Sequence, residues 1–386
     1  MDNIIWSYGQ QIKISNIEKT KGSFIFDSNG KRYLDFESGV WCTSIGHNHP
    51  LLNKAIRDQI EKIMHSGFNY TTPIISQTAQ KVLDLIDFRN GKCEFLCSGS
   101  EAVEFCMRIA EIINHNHKSF TFNNSYFGAY GLAHTKDPKA WHLYDYQNCS
   151  CKEDTCHGNC KEFNSIPFEE IKTFLFEPGS SSGFVVFPSQ NLIDKICEKI
   201  KENNGLVIIN EVTTGIGRTG KWFGYQHYNI KPDMIAIGKG IGSGYPVSIA
   251  AVSKNALTQL GDQPINYAQS HQNDSLGARV ASEVINIIQK EDLIRNSKEK
   301  GENLKERLLQ LKEKYPIIKT IRNRGLLMAI DFKHSSDKIT DQLLEEGIII
   351  IKRRDSETVR IDPPLNISHE EIDLFINTLD QILSRQ

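Results

Sequence analysis

Up to about residue 275, short apolar runs alternate with longer amphipathic stretches. The clearest run is LVIIN at 206–210, in which four aliphatic residues precede a single asparagine, Asn210. A short run rich in β-branched residues predicts a buried strand, and apolar residues at helical spacing over 190–202 predict a helix that leads into it. Similar patterns predict strands at 94–98, 119–124, 173–178, 234–238 and 247–252, and a helix at 100–113. The alternation predicts an α/β fold with a mostly parallel sheet flanked by helices.

The pattern changes after residue 275. A long, charged stretch at 276–314 has helical spacing, and a closing helix is predicted at about 368–384. Apolar runs predict strands near 325–332, 348–352 and 358–362. We interpret this region as a second, smaller α+β domain. The predicted organisation is an N-terminal segment (1–45) that contributes to the small domain, a large domain (46–275) and a C-terminal small domain (276–386).

Composition and charge argue against several classes of function. Of the 386 residues, 39% are hydrophobic and the formal net charge is −2, so nothing favours a nucleic acid or an anionic membrane as partner. No run approaches about 18 consecutive apolar residues, the length that indicates a spanning helix. The first residues lack a basic segment followed by an apolar one, so no signal peptide is expected. Nine cysteines, an odd number, fit reduced thiols in a cytoplasmic protein better than a disulfide framework.

Polar and glycine residues follow several predicted strands, and in an open α/β sheet ligands bind at the carboxyl ends of strands. Asn210 ends one strand. Lys239 follows another and precedes a glycine-rich stretch, and burial there would lower its pKa, which suits a lysine that forms Schiff bases. Gly99 and Ser100 open a predicted helix whose N-terminus can bind an anion, although an ordinary helix cap has the same sequence. Tyr126 follows a further strand and could cover a heterocyclic ring or lie in the core.

One segment does not fit this organisation. Residues 149–160, CSCKEDTCHGNC, contain Cys149, Cys151, Cys156, His157 and Cys160, so four of the nine cysteines lie together. Zinc favours thiolate and imidazole ligands, usually with two to four residues between paired cysteines. The spacings here, with one, four and three intervening residues, match loosely. Two alternatives stay open: a surface loop that collects cysteines and binds no metal, or a zinc site.

Several longer motifs, taken in order, resemble class III aminotransferases such as acetylornithine and ornithine aminotransferases. These motifs are SGSEAVEFCMRIA (98–110), INEVTTGIGRTGKWFGYQHYNIKPDMIAIGKGIGSGYPVSIAAV (209–252) and VRIDPPLNIS (359–368), and the resemblance begins at RYLDFESGVWCTSIGHNHP (32–50). The family consists of pyridoxal-phosphate (PLP) enzymes of fold type I. The resemblance implies a large domain with a mostly parallel, seven-stranded sheet, a smaller α+β domain, PLP as cofactor, and a homodimer whose active site is shared between subunits.

The resemblance also implies roles for single residues. Lys239 resembles the lysine that forms the Schiff base with PLP and moves the proton at the substrate Cα. Arg360 resembles the arginine that binds the substrate carboxylate, a task suited to a planar guanidinium, and Trp41 is expected to bind substrate. The implied cofactor-binding residues are Gly99 and Ser100 at the phosphate, Tyr126 and Val212 on the two faces of the ring, Asn210 at the pyridine nitrogen, Thr213 near the phenolic oxygen, and Ser270 at the phosphate of the partner subunit.

Four positions depart from the family pattern. Asn210 stands where the family has an aspartate that pairs with the protonated pyridine nitrogen. An opposite charge at contact shifts a pKa by about 1–3 units, so a neutral amide weakens the ring as an electron sink. Thr213 replaces a glutamine, and Phe127 replaces the histidine of an aromatic-His-Gly motif. Ser182 replaces a glutamate that pairs with the substrate arginine in several members, which favours a substrate whose α-carboxylate always binds Arg360, unless another acid takes that place.

The expected function is transfer of an amino group between an amino acid or amine and a 2-oxo acid. A related PLP reaction, either epimerisation or a lyase-type elimination, is an alternative that the neutral Asn210 favours. A PLP-binding protein without catalysis is the third alternative, and the presence of both Lys239 and Arg360 argues against it. The sequence does not name the amino donor or the acceptor.

Overall fold

The computed structural model describes residues 3–5, 7, 12–67, 69–151, 156–180, 182–354 and 356–385. Residues 152–155 of the cysteine segment and Ser181 lie outside the described residues. Within the described part of the chain, no helix is long and apolar enough to cross a membrane.

Three antiparallel strands near the N-terminus form a sheet that the hydrophobic pattern did not predict. They are β1 (Ile17–Lys21), β2 (Phe24–Asp27) and β3 (Arg32–Asp35). The outer strand β1 is mostly exposed, so it lacks the continuous apolar run that marks a buried strand.

The central layer is a seven-stranded sheet. Its strands are β4 (Lys92–Leu96), β5 (Lys118–Phe122), β6 (Trp141–Tyr144), β7 (Ile171–Phe176), β8 (Leu206–Asn210), β9 (Met234–Ile237) and β10 (Ser248–Val252). The spatial order is β4-β10-β9-β8-β7-β5-β6, and β10 alone in this sheet is antiparallel to its neighbours. The predicted α/β fold with a mostly parallel, seven-stranded sheet is therefore confirmed.

Strand β8 is apolar at four successive positions because both faces of the sheet are covered. Leu206 and Ile208 pack into the core beneath helix Gly99–Ile113, whereas Val207 and Ile209 pack into the larger core on the other face. Side chains alternate along a strand, so Asn210 continues the face of Leu206 and Ile208. The asparagine thus ends the strand on the side where helix Gly99–Ile113 begins.

Helices flank the sheets, and the predicted helices at 100–113, 190–202 and 368–384 agree with the structure within a residue or so. The helices are Pro50–Ile60, Pro73–Leu85, Gly99–Ile113, Leu132–Thr135, Lys161–Asn164, Gln190–Glu202, Lys254–Leu260, Ser275–Lys290, Leu293–Lys314, Asp337–Glu345 and His369–Leu383. The predicted helical region at 276–314 is two helices, because Asp292 takes a left-handed conformation (φ 52°) between them.

The C-terminal region forms a four-stranded sheet in the order β11-β12-β15-β14. Its strands are β11 (Ile318–Arg324), β12 (Leu327–Phe332), β14 (Ile351–Lys352) and β15 (Thr358–Ile361). The remaining strand, β13 (Ile348–Ile349), instead pairs in parallel with β3. The single strand predicted at 348–352 is therefore divided between two sheets. The domain boundaries at 45/46 and 275/276 stay a prediction.

Candidate active site

Seven of the residues expected to bind the cofactor line one cavity of about 160 Å³ beside the ends of strands β8 and β9. They are Gly99, Ser100, Tyr126, Asn210, Val212, Thr213 and Lys239. Strands β7, β8 and β9 are parallel, so the segments that follow them meet at the same edge of the sheet. We call this cavity the Lys239 pocket.

One end of the Lys239 pocket is the N-terminus of helix Gly99–Ile113. Ser98 caps the helix by accepting a hydrogen bond from the Glu101 N–H (3.2 Å), and Glu101 Oε2 in return accepts one from the Ser98 N–H (2.7 Å). The N–H groups of Gly99 and Ser100, in the first turn, have no acceptor within the helix. Two such N–H groups at the positive end of a helix dipole suit a phosphate.

Glycines keep this end of the pocket open. A Cβ on Gly99 would lie 2.6 Å from Val212 Cγ1, and a Cβ on Gly128 would lie 2.5 Å from Ser100 Oγ. Gly128 also has a positive φ of 126°, which side chains with a Cβ rarely adopt. Larger residues at either position would therefore displace the groups that form the pocket wall.

Lys239 follows strand β9 in a left-handed conformation (φ 46°) that turns its side chain into the pocket. Its Nζ donates a hydrogen bond to Thr213 Oγ1 (2.9 Å) and lies 4.5 Å from the centre of the Trp41 ring. Burial lowers the pKa of Lys239 to about 8, the direction that the sequence predicts. A lysine with this pKa has a substantial neutral, nucleophilic fraction near neutral pH.

Asn210 is held in one orientation by its neighbours. Its Nδ2 donates to Glu177 Oε1 and to the Tyr126 carbonyl oxygen, both at 3.2 Å, and its Oδ1 accepts from the Val212 N–H at 3.1 Å. Because both partners of Nδ2 are acceptors, the amide cannot be reversed without placing two acceptors together. The Oδ1 keeps a second lone pair, so Asn210 can accept a hydrogen bond from a ligand in the pocket.

The sequence analysis did not foresee the part that Glu177 takes in this arrangement. Glu177 is buried, contacts the Asn210 amide, and accepts a hydrogen bond from the Tyr126 N–H at 3.1 Å. The carboxylate charge absent at position 210 is thus present one side chain away. A signal existed, because Glu177 directly follows strand β7, the parallel neighbour of β8.

Trp41 and Arg360 lie near Lys239, and their role in binding substrate stays a prediction. Residues Ser38–Trp41 form a left-handed turn with φ between 51° and 65°, an unfavourable conformation for Ser38, Val40 and Trp41. The turn is held by the Trp41 N–H to Glu37 C=O bond (3.0 Å) and by the Ser38 hydroxyl, which donates to the Asp362 carbonyl oxygen. It places the indole so that the Arg360 Cζ lies 3.6 Å from the ring centre.

Arg360 is buried in strand β15, and burial lowers its pKa. Among the described residues its guanidinium makes no hydrogen bond, and its ion pair is with Asp362, whose Oδ2 lies 3.5 Å from Nε. Burial in turn raises the pKa of Asp362. Ser182, which replaces the family glutamate, has a buried hydroxyl without a hydrogen-bond partner in the described chain. Because the Arg360 guanidinium makes no hydrogen bond within the described chain, it retains its capacity to bind a carboxylate.

Two other polar residues are placed away from the pocket. Ser270 is exposed in the loop before helix Ser275–Lys290 and does not line the cavity. Glu211, next to Asn210, is fully buried and accepts hydrogen bonds from the Gly224 and Tyr225 N–H groups (2.9 and 2.6 Å). Burial raises the pKa of Glu211 to about 7, and its bonds fix the turn that follows strand β8.

The pocket fits PLP by the chemistry of its lining. The N–H groups of Gly99 and Ser100 suit the phosphate, and the neutral fraction of Lys239 suits an aldehyde. The Asn210 oxygen suits a protonated ring nitrogen. Each of these groups belongs to the same cavity.

Comparisons with known proteins agree with this geometry. The model of the family "Aminotransferase class-III" matches residues 7–383. The chain is 31% identical over 373 residues to acetylornithine aminotransferase of Aquifex aeolicus (94% of this chain, 95% of the relative). It is 26% identical over 402 residues to leucine/methionine racemase of Thermococcus litoralis (95% and 90%). An aminotransferase structure from Bacillus anthracis superposes with a TM-score of 0.91 at 24% identity, covering 100% and 97% of the two chains. The chain belongs to the class III aminotransferases, which are PLP-dependent enzymes.

Proposed function

We propose that the protein moves an amino group between an amino acid, whose α-carboxylate binds Arg360, and a 2-oxo acid, with Lys239 as the catalytic residue. The observation that carries this proposal is that Lys239 and Arg360 both lie beside the Trp41 ring. Lys239 Nζ lies 4.5 Å and Arg360 Cζ 3.6 Å from the centre of the same ring. A substrate carboxylate on Arg360 would therefore bring the neighbouring Cα towards the lysine amine.

Bound PLP supplies an aldehyde that amines can attack and a ring that accepts the electron pair released at Cα. Lys239 supplies the primary amine that holds the cofactor and, once released by the substrate amine, a base at Nζ for the Cα proton. Its lowered pKa of about 8 serves this task, because proton transfer is most efficient when the pKa of the base is near the working pH. Thr213 Oγ1 orients Nζ through the 2.9 Å hydrogen bond.

Arg360 and Trp41 select the substrate. The guanidinium offers paired donors to a carboxylate, and the buried indole (5% exposed) excludes water from the contact. Asp362 beside Nε leaves the terminal nitrogens to the ligand and offsets part of the charge when no substrate is bound. These features support an α-amino acid rather than a simple amine as donor.

The protein is further proposed to act as a homodimer with an active site shared between subunits. Ser270 is exposed, and the ring of the next residue, His271, lies 4.7 Å from the ring of His65. The segment around His65 carries exposed apolar side chains, among them Met64 (63% exposed) and Tyr70 (73%). Exposed apolar side chains near a polar residue of the family's cofactor site support an interface that carries Ser270 to the partner's phosphate site.

Hybrid dimers test the shared site. Light scattering should give twice the 43.8 kDa of one chain. Lys239→Ala and Ser270→Ala chains, unfolded and refolded together at limiting PLP, should regain activity, because one site of each hybrid then has both residues intact. Activity no greater than the sum of the separate variants would place Ser270 in the site of its own chain, or outside the site.

To test the reaction, PLP-loaded protein is mixed with one amino acid at a time in deuterium oxide. Amino transfer predicts a 2-oxo acid in an amount equal to the active sites, and continuous turnover when a second 2-oxo acid is added. Absence of any oxo acid across a broad panel of amino acids would contradict the proposal.

Epimerisation is the second candidate, and Asn210 is the observation that favours it. A neutral residue at the pyridine nitrogen stabilises the protonated ring less than a carboxylate does, so the ring is a weaker electron acceptor for transamination. One relative, at 26% identity, is a racemase. In the same experiment, epimerisation predicts exchange of the Cα proton for deuterium and appearance of the opposite enantiomer, with no oxo acid.

A further inference from the structure

The segment with four cysteines folds so that its sulfur atoms converge. The Sγ atoms of Cys149, Cys151, Cys156 and Cys160 all lie within 4.8 Å of one another. We call these residues, on the connection between strands β6 and β7, the cysteine loop. All four are free thiols in the described structure. Sequence spacing alone matched a zinc knuckle loosely, and the structure supplies the proximity that the spacing does not.

Two of the sulfur–sulfur separations have the dimensions of a tetrahedral site. Cys156 Sγ lies 3.7 Å from Cys151 Sγ and 3.8 Å from Cys160 Sγ. A zinc ion bound by four sulfurs at about 2.3 Å in tetrahedral geometry separates neighbouring sulfurs by about 3.8 Å. An iron–sulfur cluster would spread its thiolates further, because they are attached to different iron atoms. The arrangement therefore fits one mononuclear ion.

Hydrogen-bond donors approach two of the four sulfurs. The Tyr144 hydroxyl lies 3.2 Å from Cys156 Sγ and 3.1 Å from Cys160 Sγ, and the Gly158 N–H donates to Cys156 Sγ at 3.3 Å. Gly158 has a positive φ of 69°, which allows the tight turn between Cys156 and Cys160. Donors directed at metal-bound thiolates orient them and disperse their charge.

A cation lies beside the four cysteines. Four thiolates and one divalent cation leave two negative charges, so a nearby cation is favourable. Lys195 Nζ donates to the Gly158 carbonyl oxygen at 3.1 Å, which places an ammonium group beside the loop. Within the described residues the convergent ligands are the four cysteines, and the Glu162 carboxylate beside the loop is held by the Ser150 N–H and hydroxyl.

The position in the fold indicates a structural role. Strand β6 is at the edge of the seven-stranded sheet, and Cys156 and Cys160 are buried in the main core (1% and 6% exposed). Ser189, which caps helix Gln190–Glu202, donates to the Cys156 carbonyl oxygen. None of the four cysteines lines the Lys239 pocket. Four protein ligands leave no coordination position for a substrate, as in structural zinc sites.

We propose that Cys149, Cys151, Cys156 and Cys160 bind one zinc ion in a closed tetrathiolate site, which fastens the β6–β7 connection to the edge of the central sheet. The site is separate from the proposed transamination chemistry. Zinc replaces the thiol protons, so binding releases protons and involves no change of oxidation state.

Metal analysis of the full chain tests the site. Protein expressed with zinc in the medium, and purified without chelators or metal-affinity resin, should contain about one zinc per chain. The double variant Cys156→Ser/Cys160→Ser should contain none. Cys197→Ser is the matched control, because Cys197 is a buried cysteine of the same core outside the loop, and this variant should keep the zinc. Zinc absent from the unaltered protein, zinc retained by the double variant, or iron in its place would overturn the proposal.

A second measurement does not depend on how the variants fold. Cys149 and Cys151 are partly exposed, as is Cys42 outside the loop. In the unaltered protein, alkylation followed by peptide mass spectrometry should modify Cys42 but spare Cys149 and Cys151 until the metal is removed. Equal modification of Cys149 and Cys151 before and after metal removal would contradict zinc binding.

Discussion

The Lys239 pocket and the cysteine loop both bring reactive side chains together, but these side chains differ in how many partners they already have within the protein. In the pocket, Lys239 Nζ donates to Thr213, and near the pocket the Arg360 Nε has no hydrogen-bond partner within the described chain. In the cysteine loop, four sulfurs lie within 4.8 Å and donors already approach two of them. Unfilled binding capacity beside a cavity suits a ligand that must enter and leave, whereas a closed set of ligands suits an ion that stays. Each prediction below concerns the pocket and should leave the zinc content unchanged.

Lys239→Ala should have the largest effect. Without its amine the protein should lose the absorbance of lysine-bound PLP, and turnover should fall by more than about 1,000-fold, within the range for loss of a general acid–base group. Spectroscopy and single-turnover kinetics check this. Lys300→Ala is the matched control, because burial also lowers the pKa of Lys300 but the residue lies on helix Leu293–Lys314, outside the pocket. A Lys239→Ala protein that kept both the absorbance and turnover would refute the assignment.

Arg360→Ala should have the second-largest effect on catalysis. Removing one partner of a buried charge pair costs about 2–5 kcal/mol, so kcat/KM for an α-amino acid should fall by roughly 30- to several-thousand-fold. Steady-state kinetics should show the loss mainly in KM. The internal control is an amine without a carboxylate, whose slow reaction should not respond to the change. Equal kinetics for the amino acid before and after substitution would move the carboxylate site elsewhere.

Asn210→Asp should change the PLP spectrum and its pH dependence less than the sequence alone predicts. A carboxylate at 210 would face a bound pyridinium, but it would also meet Glu177 Oε1, which now accepts from Asn210 Nδ2 at 3.2 Å. Two like charges at this distance oppose ionisation. The single variant should therefore shift the pH dependence of the PLP spectrum weakly, whereas Asn210→Asp/Glu177→Gln should shift it by about 1–3 units towards higher pH.

Glu177→Gln alone is the control for this pair, and it should lower the same pH midpoint because the remaining charge is removed. If both variants that carry the Asn210→Asp substitution bound PLP normally and left the spectrum and the reaction outcome unaltered, the Asn210 side chain would not face the ring nitrogen.

The smallest effect is expected for Thr213→Val. Only neutral Lys239 can attack the aldehyde, so the rate at which PLP attaches to the cofactor-free protein should rise with pH and level off above about 8, the lowered pKa of Lys239. Thr213 Oγ1 accepts from Nζ and favours its charged form. Its removal should move the midpoint to lower pH by less than about one unit, while Thr213→Ser should leave it in place. Stopped-flow absorbance checks this; a midpoint near 10.5, the ordinary lysine value, would contradict the burial of Lys239.

The features that the sequence predicted are those carried by local patterns. The apolar runs at 206–210 and 234–238 placed Asn210 and Lys239 at the ends of two strands of a mostly parallel sheet, and parallel strands have their carboxyl ends at the same edge. The left-handed turn at Ser38–Trp41 could not be predicted, since a serine, a valine and a tryptophan carry no signal for that conformation. The contact between Glu177 and Asn210 depends on the pairing of β7 with β8, and the convergence of the cysteine sulfurs depends on how the loop packs against Tyr144.

Chemical trapping of the cofactor tests the central claim, that Lys239 is the residue that holds PLP. The protein is mixed with PLP, reduced with borohydride so that the lysine-bound cofactor becomes a stable secondary amine, digested, and mapped by mass spectrometry. The prediction is one modified residue, Lys239. Lys136 is the informative competitor, because burial also lowers its pKa and its Nζ lies 5.3 Å from the centre of the Phe127 ring at the pocket wall. Label on Lys136, or on any lysine other than Lys239, would contradict the account.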